Sequence, residues 1–418
     1  MRRLLWLSLG VGAVATGIAA RDSGSTTAPP SLSIPGHATA AEEPPPRPSG
    51  PLIGDGALAG VFDVRAIERV GDRYEAALRD GRRAELTLEP RYQEAAEAVV
   101  RLTRAPRAAV VALAPDGRVL ALAGRRATAP GGGLDGTPDP TLALDVWAPA
   151  ASVFKLATAT ALVEAGVTPD QRVCYHGGVR SVMESNLVDD RRDRACQDLR
   201  FGVAHSQNAI IGKLAYQHLS PDVLTRTATE LGFAGDLTDW ALPGPRGAVE
   251  LPPQTDLDFA KAAAGFSGSY LSAIGGAVMT NTIAAGGVQP PPRIVAAVID
   301  ETGARTVVEP APAPRIIDGA VAADVASMMA ATCRSGSAAR SFASRAKDPA
   351  RAVAGKTGTL AQDAPYYMEY SWFVGFAPAA HPEVTFAVVI GNAESWWMKA
   401  HTAARELLDR ALGTRPTG

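Results

Sequence analysis

Lysine is scarce in this 418-residue chain, and the scarcity makes each lysine informative. Six of the 41 basic residues are lysines and all the others are arginines. Arginine stays protonated in proteins whereas a buried lysine can lose its proton, so a lysine in an apolar segment suggests a chemical use. The six are Lys155, Lys213, Lys261, Lys347, Lys356 and Lys399.

Other shortages exclude whole classes of function. The 41 basic and 43 acidic residues leave a net charge of −2, which argues against a nucleic-acid partner. The six histidines are scattered and the three cysteines form no C-x-x-C, so neither a metal site nor a cofactor is expected. Cys174 and Cys196 either form a disulfide in an exported protein or, like Cys333, are free buried thiols.

Only one long apolar run occurs, and it lies at the N-terminus. Two arginines precede an uncharged segment that ends at Ala20, which predicts a signal peptide or a membrane anchor over residues 1–20. Residues 21–55 are rich in Pro, Ser and Thr and are expected to be an extended linker. The bulk of the chain is therefore expected outside the cytoplasm, at the cell membrane or in the periplasm.

The rest of the sequence alternates between strand-like and helix-like segments. Residues 56–85 predict a short strand hairpin region with a turn at Asp80-Gly81, and a second hairpin follows a helix. Helical segments dominate the middle, including a long region over residues 259–287, and three strands and a closing helix follow. This order predicts a mixed antiparallel sheet flanked by helices. Residues 170–205 are expected to be mostly loop, with the charged run 189–198 on a solvated face.

One lysine lies in an almost wholly apolar stretch. The residues around Lys155 predict a buried helix, where a lysine is costly unless it is paired or neutral. A lysine with a lowered pKa can act as a base, and Ser152 lies one helical turn before it, at the expected start of the helix. A capping serine with a lysine that reaches the surface would give the same spacing. The same S-x-x-K spacing at Ser344–Lys347 lies in a polar stretch and predicts surface residues.

Two further motifs follow in order along the chain. The S-x-N triplet Ser206–Asn208 begins a predicted helix, 54 residues after Ser152. The K-T-G triplet Lys356–Gly358 lies in a predicted strand, 150 residues after Ser206. Each triplet alone is a weak signal, but three motifs in this order, each in a suitable element, are specific.

With these motifs the chain resembles the transpeptidase domain of penicillin-binding proteins, the serine enzymes that cross-link peptidoglycan. The resemblance covers residues 86–413 and includes the segments VVALAPDGRVLALAG and YSWFVGFAPAAHPEVTFAVVI. It implies an α+β fold of the β-lactamase/transpeptidase type, with a five-stranded antiparallel sheet flanked by helices and an all-helical subdomain. The segment before residue 86 leaves no room for a glycosyltransferase domain, so a form reduced to the transpeptidase domain is expected.

The resemblance also implies a role for each motif residue. Ser152 would be acylated, and Lys155 would take its proton. Ser206 would relay a proton to the leaving amine, with Asn208 bonded to Lys155 and to the substrate amide. Lys356 would hold Ser206 in place and add positive potential.

The strand residues would bind the substrate. Thr357 and Thr359 would hold its terminal carboxylate, and the backbone N–H groups of Ser152 and Thr359 would form an oxyanion hole. Gly358 would let the strand approach the substrate closely.

These roles predict a D,D-transpeptidase that attacks stem peptides ending in D-Ala-D-Ala and is acylated by β-lactam antibiotics at Ser152. The membrane, through the N-terminal segment, and cell-wall synthesis proteins are further expected partners. A D,D-carboxypeptidase, with water as the acceptor, has the same motifs. A serine β-lactamase is disfavoured because no E-x-x-x-N segment follows Ser206 at a suitable distance. A non-catalytic penicillin sensor or scaffold is the fourth hypothesis.

Overall fold

Seventeen strands and ten α-helices make up the part of the chain that the structure describes. The structure is a computed structural model that describes residues 52–127, 136–235, 241–242, 244–364, 366–394 and 397–413. The predicted anchor over residues 1–20 and most of the predicted linker lie outside these residues. The strands are β1 (Leu52–Gly54), β2 (Ile67–Val70), β3 (Arg73–Ala77), β4 (Arg83–Leu86), β5 (Arg107–Leu113), β6 (Val119–Arg126), β7 (Thr137–Pro138), β8 (Ala148–Pro149), β9 (Arg172–Tyr175), β10 (Ala195–Asp198), β11 (Gly247–Val249), β12 (Ser269–Leu271), β13 (Val295–Ile299), β14 (Arg305–Glu309), β15 (Ala354–Gln362), β16 (Met368–Ala377) and β17 (Val384–Asn392). The helices are α1 (Pro90–Leu102), α2 (Lys155–Glu164), α3 (Leu199–Ala204), α4 (Asn208–His218), α5 (Pro221–Ala228), α6 (Leu257–Ala263), α7 (Ala273–Ala284), α8 (Gly319–Arg334), α9 (Ala339–Phe342) and α10 (Ala400–Leu412).

The main sheet is antiparallel and has the strand order β15-β16-β17-β5-β6-β7. Five of its strands are seven to ten residues long, as the sequence predicted, and β7 adds a two-residue edge. All nine residues of β17 are buried, because helices cover both faces of the sheet. The α+β architecture with helices on either side of an antiparallel sheet is confirmed.

Helices cover both faces of the main sheet, and they differ in how much of their surface is buried. On one face α1 and α10 pack against the sheet, each with one apolar stripe, and Leu407 and Leu408 of α10 are buried there. On the other face α7 is buried along nearly its whole length, because the helical layer covers its outer side. The central helix α2, which begins at Lys155, lies in that layer against α4, α5 and α8. The layer also holds two short ladders, β9-β10 and β11-β12-β8.

A second six-stranded sheet, in the order β1-β14-β13-β4-β3-β2, was not predicted as a unit. The hairpin of β3 and β4 turns at Asp80-Gly81 as expected, but β4 then pairs with β13, some two hundred residues later. Such pairing depends on contacts between distant segments, which local periodicity does not report.

One local expectation was wrong. The long helical region over residues 259–287 is divided into α6 and α7 by the strand β12, with Gly265 and Gly268 in left-handed conformations before it. Residues 170–205 are mostly loop, as expected, and also contain β9, β10 and α3. Among the helices of the described residues, none combines the length and hydropathy needed to span a membrane.

Candidate active site

The nucleophile candidate lies in a tight turn where the main sheet meets the helical layer. Ser152 is in the 3-10 turn Ala151–Val153 that leads into α2. Ala151 has a φ of +51°, and a Cβ at Gly265 would come within 2.1 Å of the Ala151 carbonyl oxygen. Only glycine permits this close approach of the segment after α6. The described non-glycine residues with positive φ are Ala151, Ser206 and Arg104, so two of the three lie at this site.

Lys155 is completely buried beside the serine. Its Nζ lies 2.7 Å from Ser152 Oγ and donates to the carbonyl oxygen of Ala264 at 2.6 Å. No carboxylate among the described residues pairs with it. Burial therefore lowers the pKa of Lys155 well below its usual value, and the nearby Lys356 lowers it further. The geometry is that of a serine hydroxyl within hydrogen-bond reach of a base.

Lys356 connects the sheet edge to the second serine. It lies on β15, is completely buried, and places its Nζ 3.1 Å from Ser206 Oγ while donating to the Thr357 carbonyl oxygen at 2.9 Å. Burial lowers its pKa to about 7. Ser206 precedes α4 and has a φ of +56°. The structure therefore brings together two serine–lysine pairs from three separate parts of the chain.

The β15 strand packs directly on the nucleophile turn. A Cβ at Gly358 would lie 3.2 Å from both the Ala150 carbonyl oxygen and a Val153 methyl group. The missing side chain of Gly358 thus brings the strand close to the turn that carries Ser152, whereas the sequence suggested a close approach to substrate. Trp372 of β16 donates to the Pro149 carbonyl oxygen at 2.9 Å and so holds the chain just before the same turn.

Asn208 has other partners than expected. Its side-chain amide donates to the carbonyl oxygens of Gly178 at 2.9 Å and Val179 at 3.4 Å, and the expected bond to Lys155 is not formed. The reason is the position of Asn208 at the first turn of α4, alongside a segment whose carbonyl groups need donors. The expectation of an Asn208–Lys155 bond was wrong for this structure.

That segment belongs to a loop closed by a disulfide. Cys174 and Cys196 face each other across β9 and β10 and are bonded, which decides between the two interpretations of these cysteines, while Cys333 is free and buried. We call residues 174–196 the disulfide loop. It runs beside α4 and carries Gly178 and Val179.

The charged run in the disulfide loop is not simply a solvated face, contrary to expectation. The Asp193 side chain is 5% exposed and lies 2.5 Å from His176 Nδ1 and 2.9 Å from Lys213 Nζ. Lys213 also contacts Asp189 and donates to the Cys174 carbonyl oxygen. Burial opposes its charge, but the hydrogen bonds with the two aspartates prevail and raise the pKa of Lys213. These contacts tie α4 to the loop.

An open cavity of about 320 Å³ joins these groups. It contains every predicted site residue except Lys155, Lys356 and Gly358, which lie buried behind its surface. Its lining consists of Ser152, Val179, Arg180, His205, Ser206, Asn208, Ala264, Gly265, Phe266, Thr357, Thr359 and Leu360. Thr357 Oγ1 lies 2.7 Å from Ser337 Oγ, in the loop after α8.

Sequence reasoning missed several lining residues. His205 stacks on Phe201 at 4.1 Å between ring centroids, and burial lowers its pKa. Val179 and Arg180 enter from the disulfide loop, and the Ala264 carbonyl oxygen accepts from Lys155 Nζ. No sequence motif marks these residues. The position of His205 directly before Ser206 could have indicated that His205 lies at the site.

Comparison with known proteins agrees with this geometry. The family model described as the penicillin-binding protein transpeptidase domain matches residues 108–411. The penicillin-binding protein PbpB of Mycolicibacterium smegmatis is 27% identical over 252 residues, which cover 57% of this chain and 38% of PbpB. The chain thus matches well under half of that relative's length.

Solved structures share the fold. The D,D-transpeptidase domain of a peptidoglycan glycosyltransferase from Eggerthella lenta superposes with a TM-score of 0.63 at 25% identity, over 79% of this chain and 83% of that one. An acyl-enzyme complex of penicillin-binding protein A from M. tuberculosis gives a TM-score of 0.62 at 21% identity, over 79% and 80%. Because the family model covers most of the chain, this protein belongs to the penicillin-binding protein transpeptidase domain family.

Proposed function

We propose that this protein is a peptidoglycan D,D-transpeptidase that works through an acyl-Ser152 intermediate. The observation that carries the proposal is the pair Ser152 and Lys155. An amine that is completely buried, has no carboxylate partner in the described structure and lies 2.7 Å from a serine hydroxyl is suited to be its base.

The hydrogen bonds of Lys155 support this role. A neutral amine has two N–H donors and one lone pair. One N–H donates to the Ala264 carbonyl oxygen, which leaves the lone pair free to accept the hydroxyl proton of Ser152 as the oxygen attacks the carbonyl carbon. The resulting oxyanion would be bound by the backbone N–H groups of Ser152 and Thr359.

The second serine–lysine pair serves the leaving group. Breaking the amide bond releases D-Ala as an amine, which needs a proton. Ser206 would deliver it, and the adjacent Lys356, with a pKa of about 7, would restore the proton to Ser206. Thr357 and Thr359 line the cavity and would bind the terminal carboxylate of the stem peptide. An amine of a second stem peptide then takes the acyl group.

The same site would be acylated by β-lactams. Related folds have been solved as β-lactam acyl-enzymes, as in penicillin-binding protein A of M. tuberculosis. The proposed location is outside the cytoplasm, held by residues 1–20. The Cys174–Cys196 disulfide supports this location, since disulfides persist in oxidising compartments.

Labelling of the purified full-length chain with a fluorescent penicillin, followed by intact mass, tests the proposal. A one-to-one adduct on the wild type that is absent from Ser152→Ala identifies the nucleophile. Incubation with a D-Ala-D-Ala peptide and an acceptor amine then distinguishes the activities. A cross-linked product supports transpeptidation, D-Ala release without it indicates a carboxypeptidase, and fast release of opened drug indicates a β-lactamase. Folded protein that forms no adduct and releases no D-Ala would contradict the proposal.

A further inference from the structure

The disulfide loop forms one wall of the cavity and presents two side chains to it. Val179 and Arg180 line the same space as Ser152 and Thr357. Val179 is 83% exposed, the largest exposure among the large apolar residues of the described chain, and Arg180 is also exposed. An apolar side chain and a cation thus stand together beside the nucleophile with no protein group covering them.

This wall is fixed relative to the catalytic residues. Asn208 donates to the Gly178 carbonyl oxygen and Gln207 donates to that of Gly177, so the loop is bonded to the start of α4 immediately before Arg180. Farther along, Lys213 of α4 bonds to the Cys174 carbonyl oxygen, and the disulfide closes the loop. The backbone of Arg180 is therefore held at a set distance from the site.

The charge around Arg180 is uncompensated. No Asp or Glu lines the cavity, and within the described residues Arg180 makes neither an ion pair nor a hydrogen bond. Arg192 of the same loop, in contrast, pairs with Asp190, and Arg180 is the arginine that the described residues contribute to the cavity. A guanidinium is always charged and binds carboxylates with two parallel hydrogen bonds. The missing partner is therefore suited to come from the ligand.

The position of Arg180 indicates which part of the ligand supplies the carboxylate. The terminal carboxylate of the donor is assigned to Thr357 and Thr359 on β15, a different element of the cavity lining. Arg180 instead follows the carbonyl groups that bind Asn208, the side chain expected to hold the amide on the acyl side of the scissile bond. A second carboxylate next to Arg180 would thus belong to the acyl group.

We propose that Arg180, with Val179, forms a subsite for a second carboxylate carried by the acyl portion of the donor, so that the enzyme prefers dianionic donors. This inference rests on the proposed acylation of Ser152 and deepens it. The chemical class selected is a peptide, or a β-lactam, that has a carboxylate and an apolar group on the side of the reacting carbonyl that stays bound to the serine.

Two penicillins provide a matched probe. Carbenicillin is benzylpenicillin with one additional carboxylate on the carbon that bears the phenyl ring. We expect Arg180→Ala to lower the second-order acylation rate constant for carbenicillin about tenfold or more, the usual effect of losing a charge-assisted hydrogen bond. The constant for benzylpenicillin should change less than twofold, and Arg180→Lys should retain part of the preference. Arg194→Ala is the control, because Arg194 is an exposed arginine of the same loop that does not line the cavity.

Peptides extend the test to the natural class of donor. Two D-Ala-D-Ala peptides that differ only in a side-chain carboxylate or carboxamide on the preceding residue are compared by D-Ala release, and Arg180→Ala should remove the preference for the acid. Equal losses for both penicillins, or no loss for carbenicillin, would overturn the subsite while normal benzylpenicillin labelling of Ser152 left the proposed function intact. Absence of labelling by either drug in the wild type would instead overturn the function itself.

Discussion

Two buried lysines in adjacent helices show how the same side chain is used in opposite ways. Lys155 of α2 is 0% exposed and Lys213 of α4 is 2% exposed, and each donates to one backbone carbonyl oxygen. The remaining partners differ. Lys155 faces a serine hydroxyl and has a second lysine nearby, whereas Lys213 contacts Asp193 and Asp189.

The pKa values follow from these partners. Burial lowers the pKa of both amines, but carboxylate hydrogen bonds reverse the direction at Lys213. Lys213 is therefore a permanent cation that joins a helix to the disulfide loop, and Lys155 is a candidate base. Burial alone does not lower the pKa of a lysine in this protein; burial without a carboxylate partner does.

The largest expected effect is on the rate of acylation. Lys155→Met removes the base and should slow acylation by benzylpenicillin by about 10² to 10⁴-fold, the range for loss of a general base. The fold should survive, because methionine fills similar space and no buried carboxylate loses its partner. Acylation is measured by intact mass, and the melting temperature is recorded alongside. A normal rate in this variant would show that another group takes the proton.

Lys213→Met, in contrast to Lys155→Met, should destabilise the fold. It leaves Asp193 buried without its lysine, with only His176 and the Asp190 backbone N–H as partners, and removing one member of a buried ion pair costs about 3 kcal/mol. The loss is measured by urea unfolding. Adding Asp193→Asn to this variant should recover part of it, since the unpaired charge is removed. Equal stability losses in Lys155→Met and Lys213→Met would mean that the carboxylate does not distinguish the two sites.

A smaller effect is expected on the pH dependence of acylation. The base must be unprotonated, so the rate should rise with pH through the pKa of Lys155, which Lys356 holds down by repulsion. Lys356→Gln removes that repulsion, raises the pKa of Lys155, and should move the rising limb to higher pH. Lys261→Gln, a change at a more exposed lysine that pairs with Asp258, should leave the limb in place. A limb that moves to lower pH would contradict the proposed coupling.

The sequence could predict the candidate base but not the lysine that joins α4 to the disulfide loop. Lys155 is recognisable because a single charge interrupts a local apolar run and Ser152 precedes it by one turn. The partners of Lys213 lie about 20 residues away in a run that is typical of a solvated face, and the burial of Asp193 depends on the disulfide loop folding back on α4. Local patterns report which face of an element is apolar and do not report which loop covers it.

The same limit applies to the details of the site. Ser206, Lys356 and the threonines of β15 could be predicted from ordered motifs, and the structure brings Ser206 and the threonines to one cavity with Lys356 buried behind it. The wrong partner for Asn208 and the omission of Arg180 share one cause. Both concern the disulfide loop, whose position follows from tertiary hydrogen bonds and from a disulfide that the sequence left undecided.

The smallest expected effect comes from the second S-x-x-K of the chain, which isolates the role of environment. Ser344 and Lys347 have the spacing of Ser152 and Lys155, but both are exposed, in a segment held by the ion pair of Arg345 with Asp409. Neither residue is buried, so Lys347 lacks the environment that makes Lys155 a candidate base. Ser344→Ala and Lys347→Ala should therefore change the acylation rate less than twofold and the free energy of unfolding by no more than about 0.5 kcal/mol. A slower reaction in Lys347→Ala would mean that spacing, and not burial without a carboxylate, selects the reactive pair.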